Sequence, residues 1–306
     1  MKTYYEGPVV EAEIDNLGHM NVRVYARKAA QATFNLAAAV GLTPGRVSAE
    51  GAVVQIMDGH IRFYREQLEG APLQIRGGVR WIGDERIGIY LEMLNADSGD
   101  VAATFNNAFG LFDAESRSPK RLPQEALDAA RSLIVDWPER GQPRSLPLDD
   151  VTPPTLAGME DNTSFVRFDG YTVSPEEADS HGYMDISDAK SIALARLPIK
   201  FKAQHRGYQP EDGRRIAIAT IESRQVMFSV PRLGDPVITR TKHVDVGRKS
   251  VTFEHWSFNE TTGAPISVLK QLGLGFDLEA RRTAEFPEAM RASLAGNGRP
   301  DLADDR

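Results

Sequence analysis

The amino-acid sequence predicts an α+β protein that contains two tandem copies of one structural unit. Three observations support this prediction. Landmark residues recur 164 positions further along the chain, each copy holds one long helical segment, and each helical segment is followed by four strand-like segments. No other segment of a copy is long enough to cover such a helix, so we expect an antiparallel sheet that wraps around it.

The internal repeat rests on residues that form turns and motifs. Asp15 recurs as Asp179, and Gly18 recurs as Gly182. The same offset relates Met20 to Met184, Gly70 to Gly234, Pro72 to Pro236, Gly83 to Gly247, Gly99 to Gly263, Phe112 to Phe276, Asp113 to Asp277, Glu115 to Glu279, Arg117 to Arg281 and Pro123 to Pro287. One register held over this length indicates two copies of one fold.

The helix of the first copy is predicted over residues 22–40. Asn21 is a good N-cap, and Gly41 would end the helix. Apolar or small residues occupy positions nearly all round this helix, which favours burial inside a sheet over a place on the surface. In the second copy we expect the helix to begin at Asp185 and to end or kink at Pro198, because proline removes a backbone hydrogen bond.

Strand-like segments follow both helices. They cover residues 53–63, 73–81, 87–94 and 101–112 in the first copy, and residues 216–228, 237–246, 250–258 and 266–276 in the second. An extended segment precedes each aspartate, over residues 9–14 and 168–173. Turns rich in glycine and aspartate separate the strands, so we expect each copy to form a four-stranded meander.

The repeat also predicts the domain boundaries. We expect an N-terminal domain over residues 1–136, a linker over residues 137–162, a C-terminal domain over residues 163–296 and a polar tail over residues 297–306. Five prolines stiffen the linker and disfavour secondary structure in it.

Composition excludes several classes of function. The chain has 306 residues and no cysteine, which removes disulfides, thiolate nucleophiles and cysteine-bound zinc. A net charge of -7 disfavours a nucleic-acid surface. We expect no metal site, because the histidines are scattered. With no apolar run long enough to span a membrane and no apolar leader, we expect a cytoplasmic protein.

The segment of residues 14–21, Ile-Asp-Asn-Leu-Gly-His-Met-Asn, carries the most specific chemistry. It places Asp15 and His19 just before the start of a buried helix, where free backbone N–H groups favour negative charge. A carboxylate can act as nucleophile or general base, and such N–H groups can stabilise an oxyanion. The pattern indicates an acyl-transfer site in which His19 donates to the carbonyl, orients Asp15 or tunes its pKa.

This segment, the helix after it and the strands resemble the hot-dog-fold thioesterases of the 4-hydroxybenzoyl-CoA and acyl-ACP thioesterase type. The resemblance covers both copies and implies two tandem hot-dog domains in one chain. It implies that Asp15 is the catalytic carboxylate and that His19 and Asn21 correspond to the family's His and first Asn. It also implies an acyl-CoA substrate, no cofactor other than the coenzyme A of that substrate, and a homo-oligomer of double hot dogs.

The second copy departs from the family motif. It has Tyr183 where the family has His, and Asp185 where the family has Asn. We predict a catalytic role for Asp179 and a hydroxyl donor at Tyr183 that contacts substrate. The alternatives are a turn residue at 179 and a packing aromatic residue at 183, which leaves open whether the second copy is active.

Two further residues are candidates for substrate binding. Asn21 could contact substrate, although a helix cap is the favoured alternative. His60 and Asp58 lie on the first long strand and are matched by Arg224 and Glu222 in the second copy. Polar residues that persist in both copies could line a pocket between them, and a solvent-facing edge is the favoured alternative.

Two competing functions remain from the sequence. Hot-dog enoyl-CoA hydratases and dehydratases also use Asp and His, but their His usually follows five residues after the Asp with an Asn-Pro between. Asp15 and His19 are four residues apart and no proline intervenes, which argues against that class. The other alternative is a double hot dog that binds acyl-CoA without catalysis.

Overall fold

The computed structural model describes residues 1–15, 17–160, 165–185 and 215–296. Its helices are α1 (Val22–Ala39), α2 (Pro44–Ala49), α3 (Gln124–Arg131), α4 (Leu156–Glu160) and α5 (Glu288–Ala295). None of these described helices is long and apolar enough to cross a membrane. The helix predicted to begin at Asp185 lies outside the described residues.

Helix α1 begins and ends as the sequence predicts. The side chain of Asn21 accepts a hydrogen bond from the backbone N–H of Arg23 at 2.9 Å, which satisfies a donor that the helix itself cannot. Most faces of α1 are buried, and it packs against β1 to β5 of the sheet described below. Burial is incomplete, because a narrow stripe of positions four residues apart faces solvent. The stripe consists of Arg23, Arg27, Gln31, Asn35 and Ala39.

The strands of the described residues are β1 (Lys2–Pro8), β2 (Ala52–Phe63), β3 (Pro72–Ile82), β4 (Arg86–Asn95), β5 (Val101–Asp113), β6 (Pro119–Lys120), β7 (Val166–Thr172), β8 (Ile216–Met227), β9 (Pro236–Val246), β10 (Ser250–Asn259), β11 (Pro265–Asp277) and β12 (Arg282–Thr283). The strands predicted after each helix are all present, with ends that agree to within one residue.

The extended segment predicted at residues 9–14 is wrong. The first strand, β1, lies earlier in the chain, and residues 11–13 form a 3₁₀ turn. Glu13 closes this turn, because its backbone N–H donates to the carbonyl of Val10 at 2.9 Å while its carboxylate accepts from the N–H of Val10 at 3.2 Å. A local side chain to backbone bond therefore replaces the strand ladder here.

The main strands form one antiparallel sheet in the order β1-β3-β4-β5-β2-β8-β11-β10-β9-β7. The predicted meander is wrong for its first strand, because β2 pairs with β5 and not with β3. Residues 64–71 carry the chain from β2 past the start of α1, where the backbone N–H of Met20 donates to the carbonyl of Gln67 at 2.7 Å. This arrangement leaves one edge of β2 available to β8.

Residues 2–131, the first half, and residues 166–295, the second half, contain matching strands and a matching final helix. Each main strand of the second half begins and ends 164 residues after its counterpart, as β8 (Ile216–Met227) does relative to β2 (Ala52–Phe63). The same offset relates β1 to β7, β3 to β9, β4 to β10, β5 to β11 and α3 to α5. These described elements of the two halves therefore share one spacing along the chain.

The two halves join where β2 pairs with β8. His60 lies opposite Arg224, and these positions are equivalent under the offset, so a pseudo-twofold axis passes between them. Nε2 of His60 lies 2.8 Å from the carboxylate of Glu222, and the guanidinium of Arg224 donates to Asp58 at 2.7 Å. Two hydrogen-bonded acid–base pairs thus cross the junction and are related by the same axis.

The linker lies over this junction. The backbone N–H groups of residues 144–146 donate to the carboxylate of Glu222 at 3.0 to 3.3 Å. The guanidinium of Arg224 donates to the carbonyl groups of residues 147–149 at 2.6 to 3.4 Å. His60 and Glu222 are 0% and 1% exposed. The solvent-facing edge favoured from the sequence is therefore wrong, because β8 pairs with β2 and the linker covers both.

Replacement of Glu222 by Gln is expected to lower the free energy of unfolding by about 3–5 kcal/mol, since it removes one partner of a buried pair. Burial alone would raise the pKa of Glu222, but hydrogen bonds from His60 and the linker outweigh it and lower the pKa. A carboxyl group of this kind stabilises the fold above its unfolded-state pKa of about 4.3 and loses that contribution as pH falls through the folded-state value. Urea unfolding at about pH 7 and about pH 3.5 measures both effects.

The matched control is Glu254→Gln, which removes a partly exposed partner of Lys270 at 2.9 Å. We expect it to cost no more than about 1 kcal/mol. The role given to Glu222 would be contradicted if the free energy of unfolding fell from about pH 7 to about pH 3.5 by no more in the wild type than in Glu222→Gln.

Candidate active site

The turn before α1 holds Asp15 and His19 together. The backbone N–H of Asp15 donates to the carbonyl of His19 at 2.9 Å, and the N–H of Gly18 donates to the carbonyl of Asp15 at 3.0 Å. Gly18 has a φ of 82°, a left-handed conformation that favours glycine. The N–H of Leu17 donates to Oδ1 of Asp15 at 2.8 Å, so this oxygen fixes the turn. The turn thereby orients both candidate side chains.

Asp15, His19 and Glu66 form a row of interacting side chains. Oδ2 of Asp15 lies 3.7 Å from Nδ1 of His19, and Nε2 of the same imidazole lies 3.5 Å from Glu66. The side chains of Asp15 and His19 are 17% and 15% exposed, so they are largely shielded while a substrate can still reach them. The sequence predicted the first two residues and missed Glu66.

Contacts between α1 and the segment after β2 bring Glu66 to this place. The hydroxyl of Tyr25 donates to the carbonyl of Arg65 at 3.0 Å, and the Tyr25 ring packs edge-to-face against Phe63 with centroids 5.3 Å apart. Burial raises the pKa of Tyr25, so the phenol stays protonated and can donate this bond. The first turns of α1 therefore set the position of the chain that carries Glu66.

The second half adds a cation to the site. The guanidinium of Arg281 forms an ion pair with Glu66. Arg281 lies in the turn between β11 and β12 and has a left-handed φ of 51°. The sequence repeat singled out Arg281 as a landmark, but nothing local indicated that it would reach the first half.

A cavity of about 360 Å³ opens beside Asp15 and His19 and lies between the two halves. Its wall from the first half includes Tyr25 and Phe63. Its wall from the second half is mostly apolar and includes Ile218, Ile221, Leu274 and Phe276. A cavity of this kind suits an apolar ligand whose polar end lies against Asp15.

The start of α1 also faces this cavity, because Val22 lies on its wall. The side chain and carbonyl of Asn21 accept from the N–H groups of Arg23 and Val24, which leaves the N–H of Val22 as the candidate donor. Asn21 itself lines a separate small cleft with Glu13. The structure therefore gives Asn21 the capping role and does not bring its side chain to the main cavity.

The equivalent place in the second half has a different arrangement. Oδ1 of Asp179 accepts from the N–H groups of His181 and Tyr183 at 2.9 and 3.1 Å, and the other oxygen forms an ion pair with Arg117. The Tyr183 ring contacts two guanidinium groups, those of Arg117 and Arg232, at 4.5 and 4.8 Å. The Tyr183 hydroxyl donates to a backbone carbonyl at 2.6 Å. Packing against cations thus occupies this aromatic residue.

The charges around Asp179 change its pKa. Burial alone would raise the pKa of Asp179, but the N–H groups of Tyr183 and His181 and the Arg117 guanidinium together hold it below its ordinary value. A carboxylate stabilised in this way is a weak base. The structure therefore favours the turn and ion-pair role for Asp179.

His60 is the remaining sequence candidate, and the structure does not bring it to the cavity. Its Nδ1 faces the side-chain amide of Asn106 at 3.2 Å, and its Nε2 faces Glu222 at the junction. Asp58, which is partly exposed, accepts from Arg224 across the same junction. These residues form the interface between the halves and do not line the cavity.

The chain matches the family model described as the Thioesterase-like superfamily over residues 9–130 and 208–294. The chain belongs to this superfamily. The resemblance inferred from the sequence is therefore confirmed, and membership indicates thioester hydrolase activity. The matched ranges include Asp15, His19, Glu66 and Arg281 but not the Asp179 turn. No curated protein matches the chain.

Two solved structures illustrate the fold. The 12:0-ACP thioesterase from Umbellularia californica has a TM-score of 0.68 and 9% identity, with 89% of this chain and 93% of that chain covered. An acyl-ACP thioesterase from Bacteroides thetaiotaomicron has a TM-score of 0.62 and 11% identity, with 89% and 97% covered. At these identities the likeness shows the hot-dog thioesterase fold alone.

Substitution of Gly18 by Ala is expected to cost about 1–2 kcal/mol of stability, because an L side chain disfavours the left-handed conformation. It is also expected to lower thioester hydrolysis, because the turn that orients Asp15 relaxes. Thermal unfolding and free-thiol release measure the two effects.

Gly182→Ala is the matched control, because Gly182 has a similar φ of 75° in the equivalent turn and a Cβ there, as at Gly18, meets no atom within 4 Å. We expect it to lose stability while it keeps hydrolysis. Equal loss of hydrolysis in both variants would contradict the assignment of the site to the first turn.

Proposed function

We propose that this protein hydrolyses an acyl-CoA thioester to the free acid and coenzyme A, with Asp15 as nucleophile or general base. The observation that carries the proposal is the place of Asp15 and His19 at the start of α1, on the wall of a mainly apolar cavity. Membership of the thioesterase-like superfamily supports the reaction class.

The chemistry of Asp15 follows from its surroundings. Oδ1 is held by the turn, Oδ2 lies 3.7 Å from Nδ1 of His19, and Asp15 lines the cavity. This oxygen either attacks the thioester carbonyl or takes a proton from the water that attacks it. In both cases the carbon–sulfur bond breaks, and the coenzyme A thiolate leaves and takes up a proton. Water that attacks directly gives the free acid at once, whereas attack by Asp15 gives a mixed anhydride that a water molecule then hydrolyses to the free acid and the restored aspartate. His19 assists by orienting Asp15 or by donating to the carbonyl.

The start of α1 supplies the electrostatic part of catalysis. The tetrahedral intermediate carries negative charge on the former carbonyl oxygen, and the N–H of Val22 and the positive end of the helix dipole favour that charge. Loss of one such donor costs about 10²–10³ in rate in enzymes of this type. A substrate acyl group packed against the apolar wall from the second half would lower the local dielectric around this charge, which would strengthen each of these interactions.

The proposal includes the organisation of the chain. We propose two tandem hot-dog domains, residues 1–136 and 163–296, in which the second domain forms the far wall of a site on the first. The matching element bounds of the two halves support this organisation. A covalent double hot dog of this kind would assemble into larger homo-oligomers through other surfaces.

The carrier of the acyl group is open to a direct test. Coenzyme A and acyl carrier protein present the same thioester, and two proteins of similar fold are thioesterases of acyl-ACP. We propose coenzyme A as the carrier, with no additional cofactor. The test compares the rates of hydrolysis of one acyl group attached to coenzyme A and to acyl carrier protein.

Asp15→Asn is expected to lower kcat at least about 10²-fold, because the amide can neither attack nor accept the proton. The assay is free-thiol release from short, branched, aromatic and long acyl-CoAs, with acyl-ACP in parallel. Asp179→Asn is the matched control in the equivalent turn, and we expect it to keep activity within about threefold of wild type because its low pKa makes it a weak base.

The outcomes separate the functions. Thiol release that falls with Asp15→Asn alone supports one site per chain. A similar fall with both variants would mean two working sites or one shared site. Absence of thiol release from every thioester would overturn the proposed hydrolysis, provided that thermal unfolding shows the wild-type protein to be folded. Hydration of an enoyl-CoA, or binding without turnover, would then be the function to test.

A further inference from the structure

Arg117 and Arg281 are equivalent residues that reach into opposite halves. Both follow a long strand, and both have left-handed backbone conformations, with φ values of 56° and 51°. Arg117 of the first half contacts Asp179 of the second, and Arg281 of the second half contacts Glu66 of the first. The pseudo-twofold axis therefore brings one arginine to each aspartate turn.

The two arginines occupy equivalent positions in the chain but have different partners. Arg117 pairs directly with Asp179. Arg281 pairs with Glu66, and the row from Arg281 through Glu66 and His19 ends at Asp15. In the first half Glu66 thus pairs with the arginine, and Asp15 in the turn lies beside the His19 imidazole.

The position of Glu66 explains this difference. The residue equivalent to Glu66 is Val230, a buried residue. Equivalent hydrogen bonds support the match of Glu66 with Val230. The N–H of Met20 donates to the carbonyl of Gln67 at 2.7 Å, and the N–H of Met184 donates to the carbonyl of Pro231 at 2.8 Å. The second half has no carboxylate at Val230, so the arginine there meets Asp179.

An arginine on the catalytic carboxylate would reduce catalysis in two ways. A guanidinium within ion-pair distance lowers the pKa of an aspartate by about 1–3 units and so weakens it as a base or nucleophile. It also covers the carboxylate oxygen that would react. At Asp179 burial raises the pKa, but the N–H groups of Tyr183 and His181 lower it, and the Arg117 guanidinium adds to the lowering, so that the net shift is downward.

We propose that Glu66 is a positioning residue that holds Arg281 away from Asp15 and thereby keeps the site of the first half active. The same contact is missing at Val230, so the arginine neutralises Asp179 and the second half has no working site. This inference rests on the proposed thioesterase function, since it explains which of two equivalent aspartates acts.

The test is Glu66→Val, which gives the first half the residue of the second. We expect Arg281 to move onto Asp15 and kcat/KM to fall by about 10- to 100-fold. The acid limb of the pH profile is expected to move to lower pH by about one unit or more, because Arg281 lowers the pKa of Asp15. The titratable and charged groups that line the cavity with Asp15 are His19, Tyr25, Tyr64, Arg65, Glu66 and Arg281, and Glu66→Val removes Glu66 from this set.

The decisive variant is Glu66→Val combined with Arg281→Met, which removes the arginine as well as its partner. We expect kcat/KM to recover to within about threefold of wild type and the acid limb to return. A control for the loss of an exposed Arg–Glu pair is Glu285→Val, whose partner Arg248 lies away from the cavity. We expect it to change neither quantity, and thermal unfolding checks the fold of every variant.

Three results would overturn the proposal. Glu66→Val with unchanged activity shows that Arg281 does not reach Asp15. A double variant as slow as Glu66→Val shows that Glu66 acts directly on His19 or substrate. A fall in activity with no shift of the acid limb shows a structural role alone.

The test remains decisive if the proposed hydrolysis fails. When wild type releases no thiol, ¹³C NMR of the Asp15 carboxyl, assigned from Asp15→Asn, follows its pKa in the same variants. A pKa that falls in Glu66→Val and returns in the double variant supports the arginine capture by itself. A pKa that is equal in all three proteins contradicts it.

Discussion

The pairing of β2 with β8 is the interaction on which the rest of the structure depends. It joins the two halves into one antiparallel sheet and brings β8 and β11 beside the start of α1. The cavity next to Asp15 and His19 exists because Ile218 and Leu274 supply part of its wall. Buried Glu222 also joins the linker to the junction, because its carboxylate accepts hydrogen bonds from the backbone N–H groups of Arg144 and Ser145. The junction and the candidate site therefore lie on one interface.

The sequence predicts the local elements well because local rules decide them. Turn residues and apolar periodicity place the four strands after each helix to within one residue, and the Asn21 cap marks the start of α1. These local rules do not predict strand order, because long-range packing determines which strands pair with β2. The same limit explains His60, since polar residues on a strand indicate solvent unless a second strand and a linker supply their hydrogen bonds.

The candidate site also contains residues that the local sequence predicts and residues that only the fold brings together. Asp15 and His19 lie in one short motif, so their chemistry can be read locally. Glu66 and Arg281 come from distant segments, and only the folded chain brings them to the same row. A search for the sequence repeat identifies residues that are the same at equivalent positions. Glu66 lies at a position where the two segments differ. A comparison of the differences between equivalent positions is the signal that would have found it.

The number of proposed acyl-CoA sites per chain is the quantity that tests the proposed single site most directly. The measurement is isothermal titration calorimetry of the full chain with a non-hydrolysable thioether analogue that carries the acyl group that wild type hydrolyses fastest. One analogue per chain is the predicted result, with binding that weakens when the cavity residue Ile218 is replaced by Glu. Two equivalent sites per chain, or binding insensitive to that change, would contradict a single active site between the halves.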